Sequence, residues 1–294
     1  MNENHDVSYP DRLLFASNRK DPIMTKQYEN GPKEFPFGYT PLAERDGKHS
    51  QMLMDFGVLR LRKGETHEDH SPQDERAYLL VYGEVTLEWD GQSQTIARDN
   101  CFDVPPYVLH VPKGVDVKIT GVAADSEINI SATENNKDFA SKLYLPTDTP
   151  DEYRGKGTMQ ETSTRIVRTV FDYSSAPYSN LVVGEVIGFP GKWSSYPPHH
   201  HPQPEIYYYK FNPENGFGFA DLGSEVAKLE QNGAAFITEG HVHPHATAPG
   251  YAIWYIWIIR HLEGNPYITP TFLPEHLWVT DEKATFWPDK KEGK

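Results

Sequence analysis

The stretch Trp193–Phe211, WSSYPPHHHPQPEIYYYKF, sets three consecutive histidines after two prolines, then a glutamate, then three tyrosines. A strand places residues of like parity on one face. His199, His201, Glu205, Tyr207 and Tyr209 are odd-numbered, and His200 and Tyr208 are even. An extended chain would gather two imidazoles, a carboxylate and two phenols on one side, with His200 behind them or in solvent. Pro197 and Pro198 favour an extended entry to a strand, while Pro202 and Pro204 interrupt the alternation between His201 and Glu205. Neutral imidazoles and a carboxylate are the donor types that hold zinc, manganese, iron or nickel. One more histidine would complete a four-ligand site and leave positions open for a substrate. The segment TEGHVHPHATAPGY at 238–251 offers His241, His243 and His245 for that role. The plainer alternative is a surface loop whose histidines bind nothing; the histidine-rich segment downstream counts against it.

These side chains need a scaffold, and its class follows from the rest of the chain. The 294 residues suffice for one large or two ordinary domains with a real core. The formal net charge is −14, from 42 acidic and 28 basic residues. Nucleic acid and anionic membranes are thereby disfavoured as partners. A small anion can still bind where a local cation outweighs the global field. The lone Cys101 permits no intrachain disulfide, which suits a reducing cytoplasm. No apolar run approaches the ~20 residues of a spanning helix; YAIWYIWII at 251–259 is strand-length. Residues 1–24 show neither the basic start nor the apolar core of a signal peptide, and are expected to form a poorly structured extension.

Short alternating runs dominate. Val85, Leu87 and Trp89 alternate with polar residues and stop at the turn pair Asp90-Gly91. VDVKITGV and EINISA repeat the pattern, whereas LVVGEVIGF and YAIWYIWII are apolar on both faces, as for strands covered on both sides. Helical patterns are few and short, so the fold expected is all-β, a sandwich or barrel. A polar stretch around 151–165 reads as a linker between an N-terminal unit at 25–150 and a C-terminal unit at 166–294. The two halves echo each other in strand, His-and-Glu loop, strand and glycine turn, which suggests two β-barrels in tandem. In the first half, His67, His70, Glu75 and His110 make a second apparent ligand set. Its charged surroundings, Glu65 to Arg76, read equally well as a solvated turn. Cys101 reads as a small buried residue.

The segments WSSYPPHHH, EIYYYKFNPENGFGF, GHVHPHATAPGYAIWYIW and RGKGTMQETSTRIVRTVFD together resemble the cupins, and more narrowly the bicupin isomerase family of myo-inositol catabolism. The likeness is specific from about residue 154 to 257 and diffuse in the first half. The resemblance implies two tandem jelly-roll barrels, a homo-oligomer, and a divalent metal, zinc or manganese before iron or nickel. It assigns the ligands to His199, His201, Glu205 and His243, and implies that the first barrel lacks a metal. The implied reaction is aldose–ketose isomerisation of a small sugar acid, from 5-deoxy-D-glucuronate to 5-dehydro-2-deoxy-D-gluconate. Such chemistry needs a base, for which Tyr207, Tyr251, Tyr255 and His200 are candidates by closeness in sequence. It also needs a cation for the substrate carboxylate, for which Lys192, Lys210 and Arg260 are available. Gly-His-Val-His-Pro at 240–244 and the short loop between His201 and Glu205 depart from the family pattern, which leaves the exact substrate open. An isomerase of a related sugar acid and an iron-dependent cupin dioxygenase share the same ligand types. A storage bicupin would be expected to have lost them.

Overall fold

The computed structural model describes residues 26–238 and 240–288; the expected extension at 1–24 lies outside them. Nearly all the regular structure of the described residues is strand, with short 3-10 turns as their only helices. Asp90 and Gly91 both have positive φ, 46° and 71°, the two-residue type I′ geometry that matches strand twist. They fold Asp74–Trp89 back on Gln92–Arg98, with Trp89 opposite Gln92.

Two large sheets carry the architecture. A nine-stranded sheet holds the strands from Gly38–Ala43 to Lys142–Tyr144. A seven-stranded sheet holds Glu152–Arg154, Arg165–Phe171, Leu181–Gly188, Ala252–Arg260, Glu205–Asn212 and Ala234–Ile237, and its far edge is Tyr28–Glu29 from the start of the chain. A four-stranded sheet, which includes His245–Thr247, faces the inner side of this second sheet, so that their buried residues make one core.

Burial explains why some strands are apolar on both faces. Leu59, Tyr78, Leu109 and Ile128 fill the interior of the N-terminal barrel. Val167, Val186, Tyr209 and Tyr255 fill that of the C-terminal barrel. A third cluster lies between the halves and draws from both: Phe56, Leu79 and Val108 meet Phe171, Val183, Ile206, Tyr208 and Ile258. In Glu205–Asn212 the odd residues therefore face the barrel and the even residues face the other half. The same division of faces accounts for LVVGEVIGF and YAIWYIWII.

Two networks of charged groups cross this contact, with the pairing that burial requires of charges. Glu185, fully buried, accepts hydrogen bonds from Arg98 Nη2 at 2.7 Å, Arg168 Nη1 at 2.8 Å and Trp254 Nε1 at 2.9 Å. Lys210 Nζ donates to Glu127 at 2.7 Å, and Tyr208 donates to the same carboxylate at 2.9 Å. Removing one member of a buried charged set strands the others. Glu185→Ala is expected to cost about 3–5 kcal/mol of unfolding free energy, read by denaturant titration; an unchanged midpoint would show that the network carries no stability.

Candidate metal centre

The odd-numbered face of the Trp193–Phe211 stretch opens into a cavity of about 340 Å3, lined among others by His199, His201, Glu205, Tyr207 and His243. Glu205 opens its strand, paired with Ile237 on one side and Ile259 on the other. His199 is held by a two-residue ladder, opposite Phe272. His243 comes from the segment that leads into His245–Thr247. One ligand atom each from His201, Glu205 and His243 lie within 4.8 Å of one another, and all three residues are buried.

Backbone carbonyls orient the imidazoles. Nδ1 donates to Pro197 O from His199 at 2.9 Å, to Gln203 O from His201 at 2.9 Å and to His241 O from His243 at 3.2 Å. A carbonyl can only accept, so each Nδ1 carries the proton and, in the neutral ring, the lone pair sits on Nε2. Burial pushes the His199 pKa down to about 4 and holds that of His243 well below its ordinary value, so both rings are neutral near pH 7. Nε2 of His201 and Nε2 of His243 lie 3.0 and 3.4 Å from the same Glu205 oxygen. No Lys or Arg pairs with Glu205 among the described residues. Lone pairs converging on a buried carboxylate form a donor set that fits a divalent cation. These three residues could hold a metal ion. His199 lies beside them, its ring edge-on to His243 at 4.7 Å.

Residues 36–279 match the KduI/IolB family. The chain belongs to that family. Among curated relatives, it is 28% identical over 247 residues to the 5-deoxy-glucuronate isomerase of Geobacillus kaustophilus, covering 78% of this chain and 86% of that one. The Bacillus subtilis strain 168 protein of the same name is 26% identical, with 78% and 88% covered. Among solved structures, an IolB-like protein from Salmonella typhimurium LT2 superposes with a TM-score of 0.77 at 22% identity, over 86% of this chain and 99% of that one. Oxalate decarboxylase from Lactobacillus farciminis superposes with a TM-score of 0.59 at 11% identity, over 84% and 88%. The fold is the all-β bicupin, and this KduI/IolB chain is an isomerase.

Around the cluster the KduI/IolB chain places its other expected residues unevenly. Tyr207 and Tyr255 line the cavity, their rings 4.7 Å apart. Ser195 Oγ sits between their hydroxyls, 3.2 Å from Tyr207 and 3.5 Å from Tyr255. Burial holds both phenols above their ordinary pKa. Tyr251 is not brought to the cluster. It precedes Ala252, which pairs with Asn212 at the far end of the strand that Glu205 begins, roughly 25 Å along the strand at about 3.3 Å per residue. Its ring packs near Phe217. His200, opposite Thr271, is not among the cavity lining and alternates away from His199. His241 is engaged by Thr238 and Gln27, outside the cavity. His245 is buried in the barrel with Nε2 2.6 Å from the Tyr209 hydroxyl.

None of the three expected substrate cations reaches the cavity. Lys210 is on the even face, paired with Glu127. Arg260, also even-numbered, donates through Nε to Thr133 of the first half at 2.6 Å. Lys192 does not line the cavity. The basic residues that do are Arg154, ion-paired with Glu152 at 2.9 Å, and Arg165. No pattern in the sequence singled out Ser195; in the structure its φ of 51° is uncommon for a side-chain-bearing residue, and such outliers gather at functional sites.

The apparent second ligand set does not converge. Glu75 faces the other half, where it accepts from Asn180 N at 2.6 Å and Ser179 Oγ at 3.0 Å and lies 3.0 Å from His110 Nε2. His70 is exposed beside Asp116, and His67 stacks against Tyr39. The register supplies the reason. Arg76 pairs with Val111, the last residue of its strand, and with Ala132, as Glu205 pairs with Ile237 and Ile259. Where the second barrel carries a carboxylate the first carries a buried guanidinium, 3.4 Å from Asp69, and a fixed positive charge there repels a cation. Metal analysis of purified variants should find His201→Ala and Glu205→Ala depleted of metal, and His67→Ala and His70→Ala unchanged. Full metal content in Glu205→Ala would contradict the site.

Proposed function

We propose that this isomerase is metal-dependent and converts 5-deoxy-D-glucuronate to 5-dehydro-2-deoxy-D-gluconate, with His199, His201, Glu205 and His243 as metal ligands. The observation that carries the reading is the convergence of His201, Glu205 and His243 at the inner end of a cavity that also holds two phenols. The activity for which the relatives in Geobacillus and Bacillus are named supports the substrate. The cavity, about 340 Å3, lies within the size range of small-molecule sites. In our reading the protein works in the cytoplasm as a homo-oligomer; no helix among the described residues is long and apolar enough to cross a membrane.

The reaction moves a hydrogen between neighbouring carbons without change in overall composition. Held by His199, His201, Glu205 and His243, a divalent ion would polarise the substrate carbonyl and the adjacent hydroxyl and would ease deprotonation of a nearby phenol. Tyr207 removes the proton from the carbon beside the aldehyde. The enediolate so formed is reprotonated at the former aldehyde carbon, and the second hydroxyl's proton returns to the oxygen that was the carbonyl. Ser195 Oγ, between the Tyr207 and Tyr255 hydroxyls, lets that proton pass along a chain of hydroxyl groups. Tyr255 keeps its own proton and donates to substrate oxygen.

Proton NMR of the reaction in D2O tests the assignment. Solvent deuterium in the ketose, at the same rate with and without oxygen, is the expected result; no turnover of 5-deoxy-D-glucuronate would contradict the substrate, and oxygen dependence would contradict the reaction class. Tyr207→Phe is expected to lower kcat by about 100-fold, within the range of a general base, with metal still bound. An unchanged kcat would remove Tyr207 from the mechanism.

A further inference from the structure

Buried arginines in this protein come with carboxylates. Arg98 and Arg168 share Glu185, and Arg76 faces Asp69. Arg165 is different: half-buried at the start of Arg165–Phe171, it lines the metal cavity and makes no ion pair among the described residues. Its hydrogen bonds to the described residues run from Nη1 to Ser163 O at 2.9 Å and Ser163 Oγ at 3.2 Å. That anchor fixes the plane of the guanidinium and leaves the Nε–Nη2 edge without an acceptor among the described residues. Two parallel N–H groups on one edge match the two oxygens of a carboxylate. The chain has 14 more acidic than basic charges, yet none is spent on this arginine. The other basic residue of the cavity, Arg154, is already neutralised by Glu152. Trp257, also in the lining, has a buried indole N–H with no acceptor, a second donor awaiting an oxygen-rich guest.

We propose that Arg165 forms a carboxylate-binding subsite at the end of the cavity away from Glu205, and that it makes the enzyme select sugar acids over neutral sugars of the same length. This rests on the isomerase reading, which assigns the reacting carbons to the Glu205 end. Arg165 binds and orients; it takes no proton.

The test compares 5-deoxy-D-glucuronate with 5-deoxy-D-glucose, the same chain with a hydroxymethyl group in place of the carboxylate. In Arg165→Ala the ratio of kcat/KM for the acid over the neutral sugar should fall about 10–100-fold, the worth of a charge-assisted hydrogen bond, mainly through KM. Metal content and melting temperature should stay as in the parent, and Arg165→Lys should recover part of the ratio. Equal losses on both sugars, or an unchanged ratio, would overturn the proposal. If the parent turns over neither sugar, the reaction assignment fails, and calorimetric titration with D-glucuronate and D-glucose still decides the subsite. A preference for the acid that disappears in Arg165→Ala supports it; equal binding of both by the parent overturns it.

Discussion

Glu205 is a carboxylate removed from water with no Lys or Arg paired to it among the described residues. Burying an ionised group costs several kcal/mol unless an opposite charge answers it, and here the nearest groups are imidazoles whose Nδ1 protons are already committed to backbone carbonyls. With His243 neutral, its Nε2 presents a lone pair to the carboxylate rather than a proton. Such an arrangement repels itself until a positive charge enters it. Around that carboxylate stand the carbonyls that lock three rings and the ring of Tyr267, 4.8 Å from that of His201.

The two halves answer the same structural position in opposite ways. At the start of the corresponding strand one barrel carries Glu205 and the other Arg76. In the first barrel the charge is satisfied internally by Asp69, and Tyr78 donates to the same residue at 2.6 Å. That mouth opens on a cavity of about 640 Å3 with Arg76 and Asp69 in its lining, whereas the mouth of the second is lined by Glu205. The first half then contributes through the shared surface: Arg98 and Glu127 tie its loops and strands to Glu185, Tyr208 and Lys210 on the outer face of the seven-stranded sheet. Because odd and even residues of Glu205–Asn212 serve the cavity and the contact respectively, neither function constrains the other's side chains.

Much of this was legible in the sequence, because period-two alternation carries through a strand whatever surrounds it. The shared face of Glu205 and Tyr207 and the two-sided apolar strands follow from it, and the Asp90-Gly91 turn from the positive φ those residues accept. Closeness in sequence misled where the chain runs straight. Tyr251 and Tyr255 are four residues apart, yet an extended strand carries Tyr251 away from the cluster instead of around it. The first-half ligand set failed for a reason of parity: Glu75 is one residue from Arg76 and so faces the opposite side. Arg165 and Ser195 lie in segments the resemblance singles out, but no alternation points their side chains at the cavity, and Arg165 ends what reads as a linker. Only the sheet register, which sets Arg165 opposite Gly188 and Gly188 opposite Ile253, brings that linker to the barrel.

The central claim is that one cation resides between His201, Glu205 and His243, and nowhere in the first barrel. Anomalous diffraction from a crystal of the manganese- or zinc-loaded protein measures this directly. A single strong peak within coordination distance of Nε2 of His201, Nε2 of His243 and the Glu205 carboxylate is the predicted result. A peak at the Arg76 mouth instead, or imidazoles turned away from an unfilled Glu205, would contradict it.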